Sequence, residues 1–97
     1  MAMSFLARFR KEKVDPEVAR RAMLLRAGRL GEATVLGMDL DDEGNMMLAY
    51  VYTIGGTDYE TVQRLDEQQL LRKSDYLPGS KAQMRYDPRR PANSIVV

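Results

Sequence analysis

Hydrophobic and polar residues follow two different periods along this chain. Val18, Ala22 and Leu25 stand at positions i, i+4 and i+7, which is the spacing of an apolar stripe on a helix. The spacing predicts a helix over residues 16–27. Such a stripe is typical of a helix that packs against a core.

The flanks of this segment carry the signals of a helix start and a helix stop. Asp15 is a suitable N-cap, and Pro16 suits the first helical position. Gly28 is expected to end the helix in the left-handed conformation. We therefore assign residues 14–30 to a helical segment.

From residue 31 onward the period changes to two. Ala82, Met84 and Tyr86 alternate with polar residues, as in a strand with one buried face. Gly55-Gly56 is typical of a two-residue hairpin, and Asp66 with Gln69 has the spacing of a capping box. Five strands are predicted near residues 32–40, 46–54, 57–65, 81–86 and 93–97.

The succession of one helix and five short strands predicts the fold class. We expect a mainly β chain, α+β by content, in which residues 31–97 form a small five-stranded antiparallel barrel or strongly bent sheet. Closure into an SH3-like or OB-like barrel would remove most exposed strand edges. The N-terminal helix would pack on this body. A chain of 97 residues forms one domain with a modest core.

Charge is distributed unevenly along the chain. Residues 1–30 hold eight Lys/Arg and three Asp/Glu, a balance of +5, whereas residues 31–97 hold seven and eleven, a balance of −4. We distinguish a basic arm, residues 1–13, which we expect to dock on its own body or on a second copy, or to lie on an anionic membrane surface. The candidate partner surface consists of Phe5, Phe9, Arg8, Arg10, Lys11, Arg89 and Arg90.

Composition excludes several kinds of chemistry. The chain has no cysteine and no histidine, so disulfides, thiolate metal sites and histidine-dependent catalysis are ruled out. No pair of acid and base residues indicates a carboxylate-dependent enzyme. We therefore expect a non-catalytic protein without a cofactor. No segment has the roughly 18 apolar residues of a membrane span, and we expect a cytoplasmic location.

One acidic stretch resembles part of a calcium loop. Asp39, Asp41 and Glu43 fall at loop positions one, three and five, with Gly44 at position six. Position twelve, which needs a bidentate glutamate, is Tyr50. The sequence therefore favours a solvated hairpin tip, and no bound metal is expected.

A nucleic-acid interface is the alternative that the aromatic residues suggest. Rings on a barrel face beside arginines suit stacking on single-stranded nucleic acid. The net negative charge of the body works against phosphate binding, so a nucleic-acid partner is not favoured. The residues concerned are Tyr50, Tyr52, Tyr59, Tyr76 and Tyr86, with Arg85, Arg89 and Arg90.

The segment YDPRRP predicts a rigid corner before the last strand. Asp87 and Pro88 occupy the first two positions that a type I turn prefers, and the carboxylate can accept a backbone N–H two residues on. Pro91 keeps Arg90 out of the helical region. We interpret Asp87, Pro88 and Pro91 as a structural turn that exposes Arg89 and Arg90.

Residues 31–97 resemble a bacterial family catalogued as domain of unknown function 3592. The order of GEATVLG, YTIGGTDYE and LPGSKAQMRYDPRRP before an apolar ending carries the resemblance. The resemblance implies a fold and no established activity. Many relatives have transmembrane helices beside this domain, where this chain has its basic arm. The matching positions are Gly31, Gly56, Tyr59, Gly79, Tyr86, Asp87, Pro88 and Pro91.

Taken together, the sequence favours a binding or scaffolding module without catalytic activity. Its expected partners are proteins, or further copies of the chain. The alternatives are a nucleic-acid-binding small barrel and peripheral association with a membrane surface through residues 1–13.

Overall fold

The computed structural model describes residues 16–97, which form two helices, a 3-10 turn and five strands. The prediction of a mainly β fold with an N-terminal helix is confirmed. The basic arm, including Phe5, Arg8, Phe9, Arg10 and Lys11, and the cap at Asp15 lie outside the described residues. The elements are α1 (Pro16–Ala27), β1 (Arg29–Leu40), β2 (Met46–Ile54), β3 (Thr57–Arg64), α2 (Glu67–Leu70), the 3-10 turn (Lys73–Tyr76), β4 (Lys81–Asp87) and β5 (Arg90–Val96).

The strands form one antiparallel sheet in the order β3-β2-β1-β4-β5. Strands β1 to β3 follow one another, and β4 returns to lie beside β1, which is a Greek key. Strand β1 pairs with β4 over residues 29–34 and with β2 over residues 34–40, so the sheet curls around it. The result is a nearly closed, five-stranded Greek-key barrel, which is the OB-like alternative.

Alternate strand residues fill the barrel. Apolar side chains from β1, β2, β4 and β5, from the segment after β3 and from the 3-10 turn are buried together, and the half-buried Tyr59 of β3 packs against them. The barrel is narrow enough for side chains alone to fill it. The core consists of Ala33, Val35, Leu48, Tyr50, Tyr52, Leu65, Tyr76, Met84, Tyr86 and Val96.

Side chains bridge the seam between β3 and β5 in place of a backbone ladder. The strand order makes these two strands run in the same direction. Gln63 Oε1 accepts from Val96 N at 2.7 Å, and Gln63 Nε2 donates to Val96 O at 3.1 Å. Gln69 Nε2 donates to the same carbonyl at 2.8 Å. The primary amide of Gln63 therefore replaces the partner strand for one residue of β5.

Helix α1 is fastened to both sides of this seam. Arg20 Nη1 donates to Ser94 O on β5 at 2.9 Å, and Arg21 Nη2 donates to Arg64 O at the end of β3. Glu17 accepts from both guanidinium groups, at 2.9 Å from Arg20 Nη2 and 2.7 Å from Arg21 Nε. One carboxylate thus holds the two arginines that bind the two edge strands.

Two short-range signals of the sequence have the expected geometry. Gly55 and Gly56 both have positive φ, +59° and +82°, as a primed hairpin turn requires. The side chain of Asp66 accepts from Gln69 N, and the side chain of Gln69 accepts from Asp66 N, which completes the capping box of α2.

The predicted left-handed stop at Gly28 is wrong. Gly28 does not have a positive φ; its N–H donates to Leu24 O at 2.8 Å, and β1 begins at the next residue. Glycine is required for space instead, because a Cβ at this position would lie 2.5 Å from Leu24 O and 3.1 Å from Arg85 Cβ. The close passage of the chain over β4 explains this residue.

The last strand is longer than the sequence predicted, since β5 begins at Arg90. Pro91 lies within the strand, which is possible because β5 is an edge strand and the missing N–H is not needed in the ladder. The carbonyl of Pro91 accepts from the hydroxyl of Tyr52 at 2.5 Å. This bond ties the start of β5 to the core.

Candidate functional site

The outer face of strands β1 to β3 carries a row of apolar side chains. Directly opposed residues share a face, so Gly37, Ala49 and Val62 lie on the same side of the sheet. Their sequence neighbours Leu48 and Gln63 are buried in the barrel, which makes this face the outer one. The row, which we call the apolar strip, consists of Leu36, Met47, Ala49 and Val62.

A β-bulge in β1 shapes the apolar strip. The register shifts between Val35 and Gly37, so Leu36 is the extra residue and lies on the outer face beside Gly37. The residues Leu36 and Val62 are 45% and 56% exposed. A Cβ added at Gly37 would meet nothing within 4 Å, and the strip surrounds a shallow depression of about 350 Å³. An apolar side chain of another segment can enter this space.

The hairpin between β1 and β2 forms an acidic tip next to the strip. We call residues 39–45 the acidic tip; they include four carboxylates and no base. Asp41 Oδ1 accepts from Glu43 N at 2.9 Å and from Asn45 N at 2.8 Å. The hydrogen bond from the Asn45 backbone is the main cause that lowers the pKa of Asp41. This carboxylate stabilises the turn, and the tip is negatively charged at neutral pH.

The calcium ligand set considered for this loop is not assembled. Asp41 is occupied by its own turn, and no group of three or more Asp or Glu side chains that could hold a metal ion is found within residues 16–97.

A groove joins the acidic tip and the apolar strip to the start of α1. Its lining includes Glu17 and Arg20 on α1, Asp41 and Glu43 on the tip, Met47 and Val62 of the strip, and Arg64 at the end of β3. Met47 and Val62 also line the depression of the strip, so groove and depression are adjacent. We call this path the tip groove. Glu17 is the second residue of α1, and the groove therefore begins where the described chain begins.

The predicted corner lies at the end of α1 and lines a second cleft. Arg89 N donates to Asp87 Oδ1 at 2.9 Å, which is the predicted turn bond. Asp87, Pro88 and Arg89 face Met23 and Leu24 across a cleft of about 320 Å³. Arg89 and Arg90 are exposed. The corner and the apolar strip share no lining residue, so they are separate surfaces.

The tyrosines do not form an exposed stacking surface. Tyr50, Tyr52, Tyr76 and Tyr86 are buried in the core, and Tyr59 is half-buried with its ring stacked on Tyr52 at 5.3 Å between centroids. Tyr50 donates to or accepts from Ser94 Oγ at 2.8 Å, and burial raises the pKa of Tyr50 to about 12. These rings are therefore structural, and none of them is brought beside Arg89 and Arg90 on an exposed face.

Sequence reasoning missed the apolar strip because it depends on strand register. The bulge at Leu36 changes the phase of alternation in β1, so residues on either side of it cannot be assigned to faces from period alone. One signal was available, since Val62 occupies an outward position of β3 between two residues that point inward. An exposed branched apolar residue in mid-strand is a sign of a contact surface when it has apolar neighbours on the same face.

No helix within residues 16–97 is long and apolar enough to cross a bilayer. Comparison of the chain with family models, curated proteins and solved structures found no match.

Proposed function

We propose that this protein is a non-catalytic binding module that recognises a protein partner, or a second copy of the chain, through the apolar strip. The observation that carries the proposal is the row of apolar side chains on the outer face of β1 to β3, in which Leu36 and Val62 are exposed and Met47 and Ala49 are half-buried. Contiguous exposed apolar surface on a small protein is characteristic of interaction sites. The resemblance to the domain of unknown function 3592 implies a fold only and assigns neither an activity nor a partner.

Three properties of the strip favour a protein over a nucleic acid as the partner. The strip lies on paired strands, which hold its side chains in fixed positions. The depression over Gly37 suits a single apolar side chain, the kind of anchor that dominates protein interfaces. The neighbouring acidic tip repels phosphates. A protein segment with an apolar anchor and basic flanks has the complementary chemistry.

Site-specific photo-crosslinking tests this proposal. A benzophenone amino acid is placed at Val62 of the full chain, and a matched control carries it at Leu71, which is 86% exposed and lies outside the strip. We expect discrete protein adducts, or a dimer of the chain, from position 62 only. Gly37→Lys, whose Cβ would meet nothing within 4 Å, should cover the depression and abolish these adducts.

The recovered partner then provides a quantitative test. Its affinity for the purified chain should fall by at least about tenfold on Gly37→Lys, which corresponds to about 1.4 kcal/mol. Identical adducts from both positions, or an affinity that Gly37→Lys leaves unchanged, would overturn the proposal.

A further inference from the structure

The acidic tip and the apolar strip have complementary groups in the sequence of the same chain. We infer that the basic arm, residues 1–13, docks in cis along the tip groove, with its basic side chains against the acidic tip and Phe5 or Phe9 in the depression of the apolar strip. The inference deepens the proposed function and rests on it in one part, the assignment of the apolar strip as a binding surface.

Chain continuity is the first observation that supports this inference. The arm is joined through two residues to Pro16, and Glu17 already lines the tip groove. The far end of the path is close, because Ala49 lies two residues beyond Met47 along β2, roughly 7 Å in a strand. The seven residues from Phe9 to Pro16 span up to about 23 Å when extended. The arm is therefore tethered beside the groove that Glu17, Met47 and Val62 line.

Charge complementarity is the second observation. Arg8, Arg10, Lys11 and Lys13 oppose a single acid, Glu12, within the arm, whereas the acidic tip holds four carboxylates and no base. Glu17 is already bonded to Arg20 and Arg21, and Arg64 also lines the groove near Asp41. The four tip carboxylates outnumber these positive charges, so the attraction for the arm comes from the tip. Opposite charges held near each other by a short tether stay attracted even though salt screens them over about 10 Å at 0.1 M.

The third observation is the match of apolar groups. Phe5 and Phe9 are the two phenylalanines of the chain, and both are in the arm. The depression has an open floor at Gly37 and apolar walls at Leu36 and Val62. An aromatic ring placed there covers side chains that otherwise remain in water. The arm thus has basic side chains that complement the acidic tip and phenylalanine rings that complement the apolar strip.

Paramagnetic relaxation on the full chain tests the inference. The chain has no cysteine, so Ala7→Cys gives a single site for a nitroxide label in the arm. In an isotope-labelled sample we expect the amide signals of Gly37, Ala49 and Val62 to lose most of their intensity. The signal of Leu71 should keep its intensity. Adding Gly37→Lys should restore the lost signals, because its side chain fills the depression and repels the basic arm, and Leu71→Lys should not restore them.

Mixed samples separate the alternatives. When the nitroxide is on one copy and the isotope label on another, the strip signals should stay intact. Broadening that persists in this mixture would assign the arm to a second copy and overturn docking in cis. Broadening confined to the acidic tip, or no broadening on this face, would overturn the inference as well. The crosslinks from Val62 are independent of this result. If they persist while the strip signals stay intact, the arm inference fails and the proposed function stands.

Discussion

The side-chain bridge across the barrel seam makes a sharp prediction about Gln63. In Gln63→Leu the replacement has similar size and keeps the interior packed, but Val96 N loses its hydrogen-bond acceptor. Val96 O keeps its bond from Gln69 Nε2 at 2.8 Å. The change therefore leaves one buried backbone N–H without its partner, which costs about 1–3 kcal/mol.

Chemical denaturation and thermal melting measure this loss. For a domain of this size each kcal/mol lowers the melting temperature by roughly 4–8 °C. The matched control is Gln83→Leu, an exposed glutamine on β4 whose replacement should change stability by no more than about 0.5 kcal/mol. Equal stabilities for the two variants would refute the bridge.

A charge at the same position gives a second test with a distinct pH dependence. The carboxyl group introduced by Gln63→Glu can accept a hydrogen bond from Val96 N in either protonation state. It can donate one to Val96 O only when it is protonated. Burial raises the pKa of this carboxyl group in the folded state. The resulting loss of stability is absent below about pH 4, the pKa of a glutamate in the unfolded chain, and grows as the pH rises above that value. Relative to wild type, the variant should be nearly as stable at acidic pH and clearly weaker at pH 7. A deficit that does not depend on pH would contradict this reasoning.

Three further predictions concern other contacts of the fold. The hydrogen bond from Arg20, with help from Arg21, lowers the pKa of Glu17 from 4.5 to about 2. Glu17→Gln should therefore lower the free energy of unfolding by about 1 kcal/mol at neutral pH, a value that allows for solvent screening. In urea titrations the difference from wild type should vanish as the pH falls from 4.5 towards 2. Tyr50→Phe removes the hydrogen bond to buried Ser94 and should lower the free energy of unfolding by about 1–2 kcal/mol. Tyr76→Phe should not lower it in the same melting assay, because the Tyr76 hydroxyl has no partner among residues 16–97. The double variant Asp87→Ala with Pro88→Ala should destabilise the domain by about 1–3 kcal/mol and leave partner binding at the strip unchanged. An unchanged melting temperature together with lost partner binding would overturn the structural role of the corner.

The sequence predicted those features that depend on neighbouring residues. The bounds of α1 at Pro16 and Ala27 and of β2 at Met46 and Ile54 agree with the predicted spans. Caps, paired glycines and regular alternation act over a few residues, so they can be read locally. The number of strands followed from the same local signals.

The features that depend on register and on distant partners could not be predicted. Gln63 is a polar residue at an inward position, and its role becomes evident only when β5 is known to end beside β3. The bulge at Leu36 brings Gly37 to the outer face beside Leu36, and alternation alone does not show this change of phase, so the depression of the strip could not be predicted. The arginines of the corner, Arg89 and Arg90, were assigned to the candidate partner surface from exposure alone, and they lie on a surface separate from the strip.

Chemical-shift mapping of the full chain tests the central claim, that the apolar strip is the binding surface, most directly. The isotope-labelled protein is titrated with the partner recovered from the Val62 crosslink, and shift changes are assigned residue by residue. We expect the largest changes at Leu36, Gly37, Ala49 and Val62. Largest changes at the cleft between Met23 and Arg89, with the strip unchanged, would contradict it.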